Sequence, residues 1–92
     1  MYKITFARAY KKSIKKLLKS STVTLREVDI VIDLLAAKKV LPVKYKDHKL
    51  VGELDGYREC HVRPDILLFY KIHENELVLL VANIGSHAQL FG

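Results

Sequence analysis

Two nearly apolar runs, "ILLFYKI" at residues 66–72 and "LVLLVANI" at 77–84, constrain this chain more than any other feature. Both are of strand length, and only "HENE" separates them, with Asn75 well suited to a turn. They read as two buried strands joined tightly. Upstream, "YRECHV" alternates apolar with polar and predicts a third strand, while Tyr2, Ile4 and Phe6 alternate with Lys3 and Thr5 as a short half-buried one.

The segment between residues 7 and 42 changes period. Tyr10, Ile14, Leu17 and Leu18 recur at helical spacing, and Lys11, Lys12, Lys15, Lys16 and Lys19 cover the other faces. Ser20, Ser21 and Thr22 interrupt the pattern. Thr24 and Glu27 then form the T-x-x-E capping box of a second helix. Its apolar stripe is Leu25, Val28, Ile32 and Leu35, and Lys38 and Lys39 suit its C-terminal dipole before Pro42 closes it. Residues 43–56 are polar, mixed in charge and punctuated by Gly52 and Gly56: a long loop with room for a short strand. The order βααβββ predicts one α+β domain over residues 1–92, a small antiparallel sheet with the two N-terminal helices packed together on one side.

Charge is distributed unevenly. Residues 1–26 carry eight Lys/Arg and no Asp or Glu, the remainder eight basic and ten acidic, for a net +6. Such a basic half favours a polyanionic partner, nucleic acid before membrane, although a lysine-rich helix can also serve solubility alone. The N-terminal segment has no apolar core of a signal peptide, and the longest apolar run is far too short to span a bilayer. The single cysteine, Cys60, excludes an internal disulfide and fits a reducing cytosol. Its expected state is a buried, inert thiol.

Three histidines lie outside ordinary turns: His48 in the loop, His61 on the third predicted strand and His87 in the tail, whereas His73 falls in "HENE". Imidazoles beside Lys46, Arg58 and Arg63 are the groups that metal-free RNA cleavage by the 2′-hydroxyl requires. One group removes the hydroxyl proton, another protonates the leaving 5′-oxygen, and cations offset charge at phosphorus. Three scattered histidines need not meet, however. A zinc site is disfavoured because Cys60 and His61 are adjacent, hence on opposite faces of a strand, and no ligand spacing supports one. No metal or cofactor is expected. Alternation in "ECHVRPD" turns Cys60 and Val62 to the core and His61, Arg63 and Asp65 to the other face. Asp65 either opens the next strand or orients an imidazole. Phe91 either staples the tail or offers a face for base stacking.

The stretch "YKDHKLVGELDGYRECHVRPDILLFYK", residues 45–71, and the ending "GSHAQLFG" resemble the YafQ-type toxins of the RelE/ParE superfamily, whose chains close on G-[ST]-H-x-x-L-F. The resemblance spans the whole chain and is strongest in its second half. It implies a RelE-like fold and the toxin of a type II toxin–antitoxin pair, a ribosome-dependent endoribonuclease that cuts translated mRNA in the cytoplasm. The implied partners are the ribosome, mRNA and a protein antitoxin, DNA-binding and similar to DinJ or RelB, with no membrane. The family's catalytic residues fall on His48, His61, His87 and Asp65. His87 is the implied general acid, with the base open among the other three. Phe91 matches the family's terminal aromatic. Lys11 and Lys15 of the first helix, Lys46 and Lys49 of the loop, and Arg58 and Arg63 would hold RNA. One departure is Ile66, where the best-known members carry Trp. Two rival readings are a non-enzymatic binder like the gyrase-poisoning branch, and an inactive toxin that only binds its antitoxin.

Overall fold

The computed structural model describes residues 1–92. Strand β1 (Lys3–Phe6) leads into α1 (Arg8–Ser20) and α2 (Leu25–Ala36). A turn of 3₁₀ helix at Val43–Tyr45 precedes β2 (His48–Lys49), and another at Gly52–Leu54 precedes β3 (Arg58–Arg63). Strands β4 (Ile66–His73) and β5 (Val78–Gly85) form the central hairpin, and α3 (His87–Phe91) ends the chain. The sheet order is β1-β5-β4-β3-β2. No helix is long and apolar enough to cross a membrane.

The central hairpin forms where the apolar runs place it, with β4 antiparallel to both β3 and β5. The sheet is nevertheless mixed rather than antiparallel. β1 runs parallel to β5, Lys3 opposite Val78 and Phe6 opposite Val81. The helical pair carries the chain from β1 to the far edge of the sheet, and the antiparallel run back leaves β5 pointing along β1.

One core lies between the helices and one face of the sheet. Tyr10, Ile14 and Leu17 of α1 and Val28, Val31, Ile32 and Leu35 of α2 meet Cys60, Ile66, Leu68, Tyr70, Leu79, Val81 and Ile84. The expected stripes are corrected at their margins. Leu18 and Leu25 are exposed, and Val31, not anticipated, is fully buried. Leu18 sits one helical step beyond Leu17, on the flank of the buried stripe, and Leu25 is the first residue of its helix. The capping box forms as read, with the Thr24 hydroxyl accepting from the Glu27 N–H and the Glu27 carboxylate accepting from the Thr24 N–H. That satisfies two donors the helix itself cannot.

The opposite face of the sheet carries Leu67 and Phe69, both buried outside the main core. The tail folds onto this face as α3, opened by a second capping box between Ser86 and Gln89. Gly85 permits the close return, since a Cβ there would lie 2.8 Å from Gln89 Oε1.

Candidate active site

Alternation along β3 places Glu59 and His61 on the open face, with Cys60 behind them in the core. β2 pairs antiparallel with β3, and its register sets His48 directly opposite Glu59. The result is a compact unit. His48 Nε2 lies 3.1 Å from Glu59 Oε2, and His61 Nε2 lies 3.4 Å from the same oxygen. The ring centroids are 6.4 Å apart. Glu59 is 6% exposed and is the one charged residue in the buried set. The His48 side chain is 50% exposed and that of His61 19%, so His48 is the more accessible ring.

Each imidazole also has an acceptor at its other nitrogen. His48 Nδ1 is 2.6 Å from the Lys46 carbonyl, and His61 Nδ1 is 3.3 Å from the Pro64 carbonyl. A neutral ring can donate to only one of its two acceptors. The two rings share one buried carboxylate oxygen, which can offset positive charge on either imidazole. No group of three or more His, Cys, Asp or Glu is arranged to hold a metal ion.

His87 enters the same face from the other side. It begins α3, and its ring packs on Phe91 with centroids 4.6 Å apart. Phe91 in turn meets Phe69 edge-on at 5.3 Å, and Phe69 is the cross-strand partner of Glu59. An aromatic bridge thus connects the imidazole–carboxylate unit to His87. Phe91 is stapled by its edge contact yet remains 44% exposed, so both roles open to it from the sequence are compatible with its position.

Other candidates lie elsewhere. Asp65 is exposed in the turn between β3 and β4, and no hydrogen bond joins it to an imidazole. Arg63 corrects the alternation argument. His61 pairs with Leu67 but Arg63 with Ile66, a bulge at Val62 that turns Arg63 to the helical side. There its guanidinium donates to both Glu27 oxygens at 2.8 and 2.9 Å and to Thr22 Oγ1 at 2.7 Å. Arg58 also faces the helical side, bonded to Asp47 and to the Tyr70 hydroxyl. Both arginines are thus engaged by carboxylates, Arg58 by Asp47 and Arg63 by Glu27. Lys46 and Lys49 flank His48 and are exposed, as are Lys11 and Lys15 along α1. Ile66 is buried in the core.

Sequence reasoning missed Glu59 altogether. It was legible only as one charged residue in an alternating strand; its register with His48 depends on a two-residue strand that periodicity does not resolve.

Residues 2–92 match the family model of YafQ, the bacterial toxin of type II toxin–antitoxin systems. The mRNA interferase toxin YafQ of Escherichia coli K12 is 48% identical over 52 residues, 56% of this chain and 54% of that protein. The matched stretch thus spans about half the length of this curated relative. Over the whole chain, the metal-bound toxin of Helicobacter pylori has a TM-score of 0.92 and 40% identity, covering 99% of this chain and 100% of that one. A chain of the DinJ–YafQ complex of E. coli has a TM-score of 0.88 and 32% identity, with complete coverage of both.

Proposed function

We propose, for a chain that belongs to the YafQ family of type II toxins, that it is a ribosome-dependent endoribonuclease that cleaves translated mRNA in the cytoplasm. The observation that carries this reading is Glu59, buried and shared by His48 and His61, on the sheet face that also bears His87. Transesterification by a ribose hydroxyl needs a proton acceptor and a proton donor on one surface. The His48–Glu59–His61 unit takes the 2′-hydroxyl proton. Both rings lean on one carboxylate oxygen, which offsets the positive charge of whichever ring takes that proton. The freed 2′-oxygen attacks the adjacent phosphorus, and the bond to the 5′-oxygen breaks. Protonated His87 gives its proton to that departing oxygen, leaving a 2′,3′-cyclic phosphate and a 5′-hydroxyl.

Phe91 offers a base its exposed face beside His87, and Lys46, Lys49, Lys11 and Lys15 supply cations for phosphates and ribosomal RNA. The partner is a protein antitoxin of the DinJ type, since a relative that aligns along the whole chain forms a complex with DinJ. A gyrase-binding role would leave a buried carboxylate shared by two imidazoles without a use. The test is primer-extension mapping in a translating extract, with and without ribosomes. Wild type produces discrete ribosome-dependent cuts, and His87→Ala produces none while keeping its circular dichroism. Equal cutting by both proteins would overturn the reading.

A further inference from the structure

Behind the candidate active site, on the helical side of the sheet, lies a second polar cluster that catalysis does not touch. Tyr70 donates its hydroxyl hydrogen to Asp47 Oδ1. Arg58 Nε donates to Asp47 Oδ1 at 3.3 Å and to the Tyr70 hydroxyl oxygen at 3.1 Å, and its second terminal nitrogen reaches Asp47 Oδ2 at 3.2 Å. The members of the two clusters are chain neighbours. Asp47 precedes His48, Arg58 precedes Glu59, and Tyr70 follows Phe69. Strand alternation sends one residue of each pair into the helical side and the other onto the open face.

This back-to-back arrangement matters because β2 is weak. It is an edge strand of two residues, reached through Lys46, which sits in the left-handed region at φ 48°. So short a strand does not by itself hold a ring to the tolerance that catalysis demands. Tyr70, by contrast, is 1% exposed and belongs to β4, which has a strand on each side. Its hydroxyl is kept protonated, raised well above its usual range by burial and then by the bond to Asp47. It is therefore a fixed donor on a rigid element.

We propose that Asp47, Arg58 and Tyr70 are positioning residues, tying the backbone at Asp47–His48 and Arg58–Glu59 to the core so that His48 stays on Glu59. The inference rests on the catalytic reading above but has a readout that does not. The experiment uses the full chain carrying Tyr70→Phe, which deletes one hydroxyl and leaves the ring in the core, and in parallel Asp47→Asn. Ring ¹H–¹³C NMR signals of His48 and His87 are compared with wild type, and kcat and KM for mRNA cleavage are measured well below each variant's Tm. In either folded variant the His48 signal shifts or broadens while that of His87 stays in place. kcat falls by up to about 10²-fold, the scale of an ångström-sized misplacement, with KM within about twofold.

A merely structural clip lowers Tm but leaves the His48 signal and kcat unchanged, and that result overturns the proposal. If wild type cleaves no mRNA, the catalytic reading falls and the NMR comparison alone decides the positioning role.

Discussion

His48 and Glu59 are direct cross-strand partners, and His48 Nε2 lies 3.1 Å from Glu59 Oε2. The register of the β2–β3 ladder, rather than loop conformation, sets the two side chains opposite each other.

Glu59→Gln tests what the charge contributes. Glutamine keeps the size and one acceptor oxygen but cannot offset an imidazolium. Cleavage is expected to fall by about 10²-fold or more, the usual scale for losing a group from acid–base catalysis. The check is single-turnover cleavage on stalled ribosomes, below the variant's Tm. A rate within threefold of wild type would remove Glu59 from the chemistry.

The two roles proposed for Phe91, staple and stacking face, are separated by different substitutions. Its edge contact with Phe69 is of a kind worth about 0.5–1.5 kcal/mol beyond buried area. Its exposed face can stack a base, worth about 1–3 kcal/mol. Phe91→Ala should lower both stability and cleavage. Phe91→Leu keeps most of the packing and should lower cleavage alone, by raising KM. Thermal melts beside steady-state kinetics distinguish them, and a normal KM in both variants would leave Phe91 as a staple only.

What the sequence made legible follows from the range of the forces involved. Helix spacing, the Thr24–Glu27 capping box and the apolar runs of β4 and β5 are local patterns, and they locate these elements directly. The parallel pairing of β1 with β5 joins segments more than seventy residues apart, and no local period encodes strand direction. The site was half legible. His48, His61 and His87 announce themselves by residue type, but Glu59 gains its meaning only from the register across β2. Arg63 was misplaced because a single extra residue in the ladder at Val62 reverses the side on which everything after it falls.

The Glu27–Arg63 pair makes a pH prediction. Glu27 is held down from 4.5 to about 2, first by the hydrogen bonds from Arg63 and then by the Thr24 backbone N–H. A carboxylate lowered on folding stabilises the fold fully above its unfolded pKa and loses that contribution as pH falls through the folded value. The gap in Tm between wild type and Arg63→Gln should therefore be widest above about pH 4.5 and narrow toward pH 2. Melts across that window check it. A gap of constant width would assign the stabilisation to the Thr22 bonds, which do not titrate.

Cys60 gives a direct probe of the strand that carries the site. It is fully buried between Glu59 and His61 in sequence, and its thiol is pushed up to about 12, by burial first and then by the nearby Asp47 and Glu59 carboxylates. Thiolate is the reactive form, and burial also denies a reagent access. Reaction with a thiol reagent such as Ellman's must therefore proceed through opening of β3. In native buffer near neutral pH, labelling is expected to be far slower than for a free thiol, and in denaturant one equivalent should react at once. The native rate should also respond to urea as global unfolding does, because Cys60 lies in the main core opposite Leu68 of the central strand rather than at a terminus. If labelling is instead fast and insensitive to urea, β3 opens locally, and the fixed spacing of Glu59 and His61 on which the catalytic argument depends does not hold in solution.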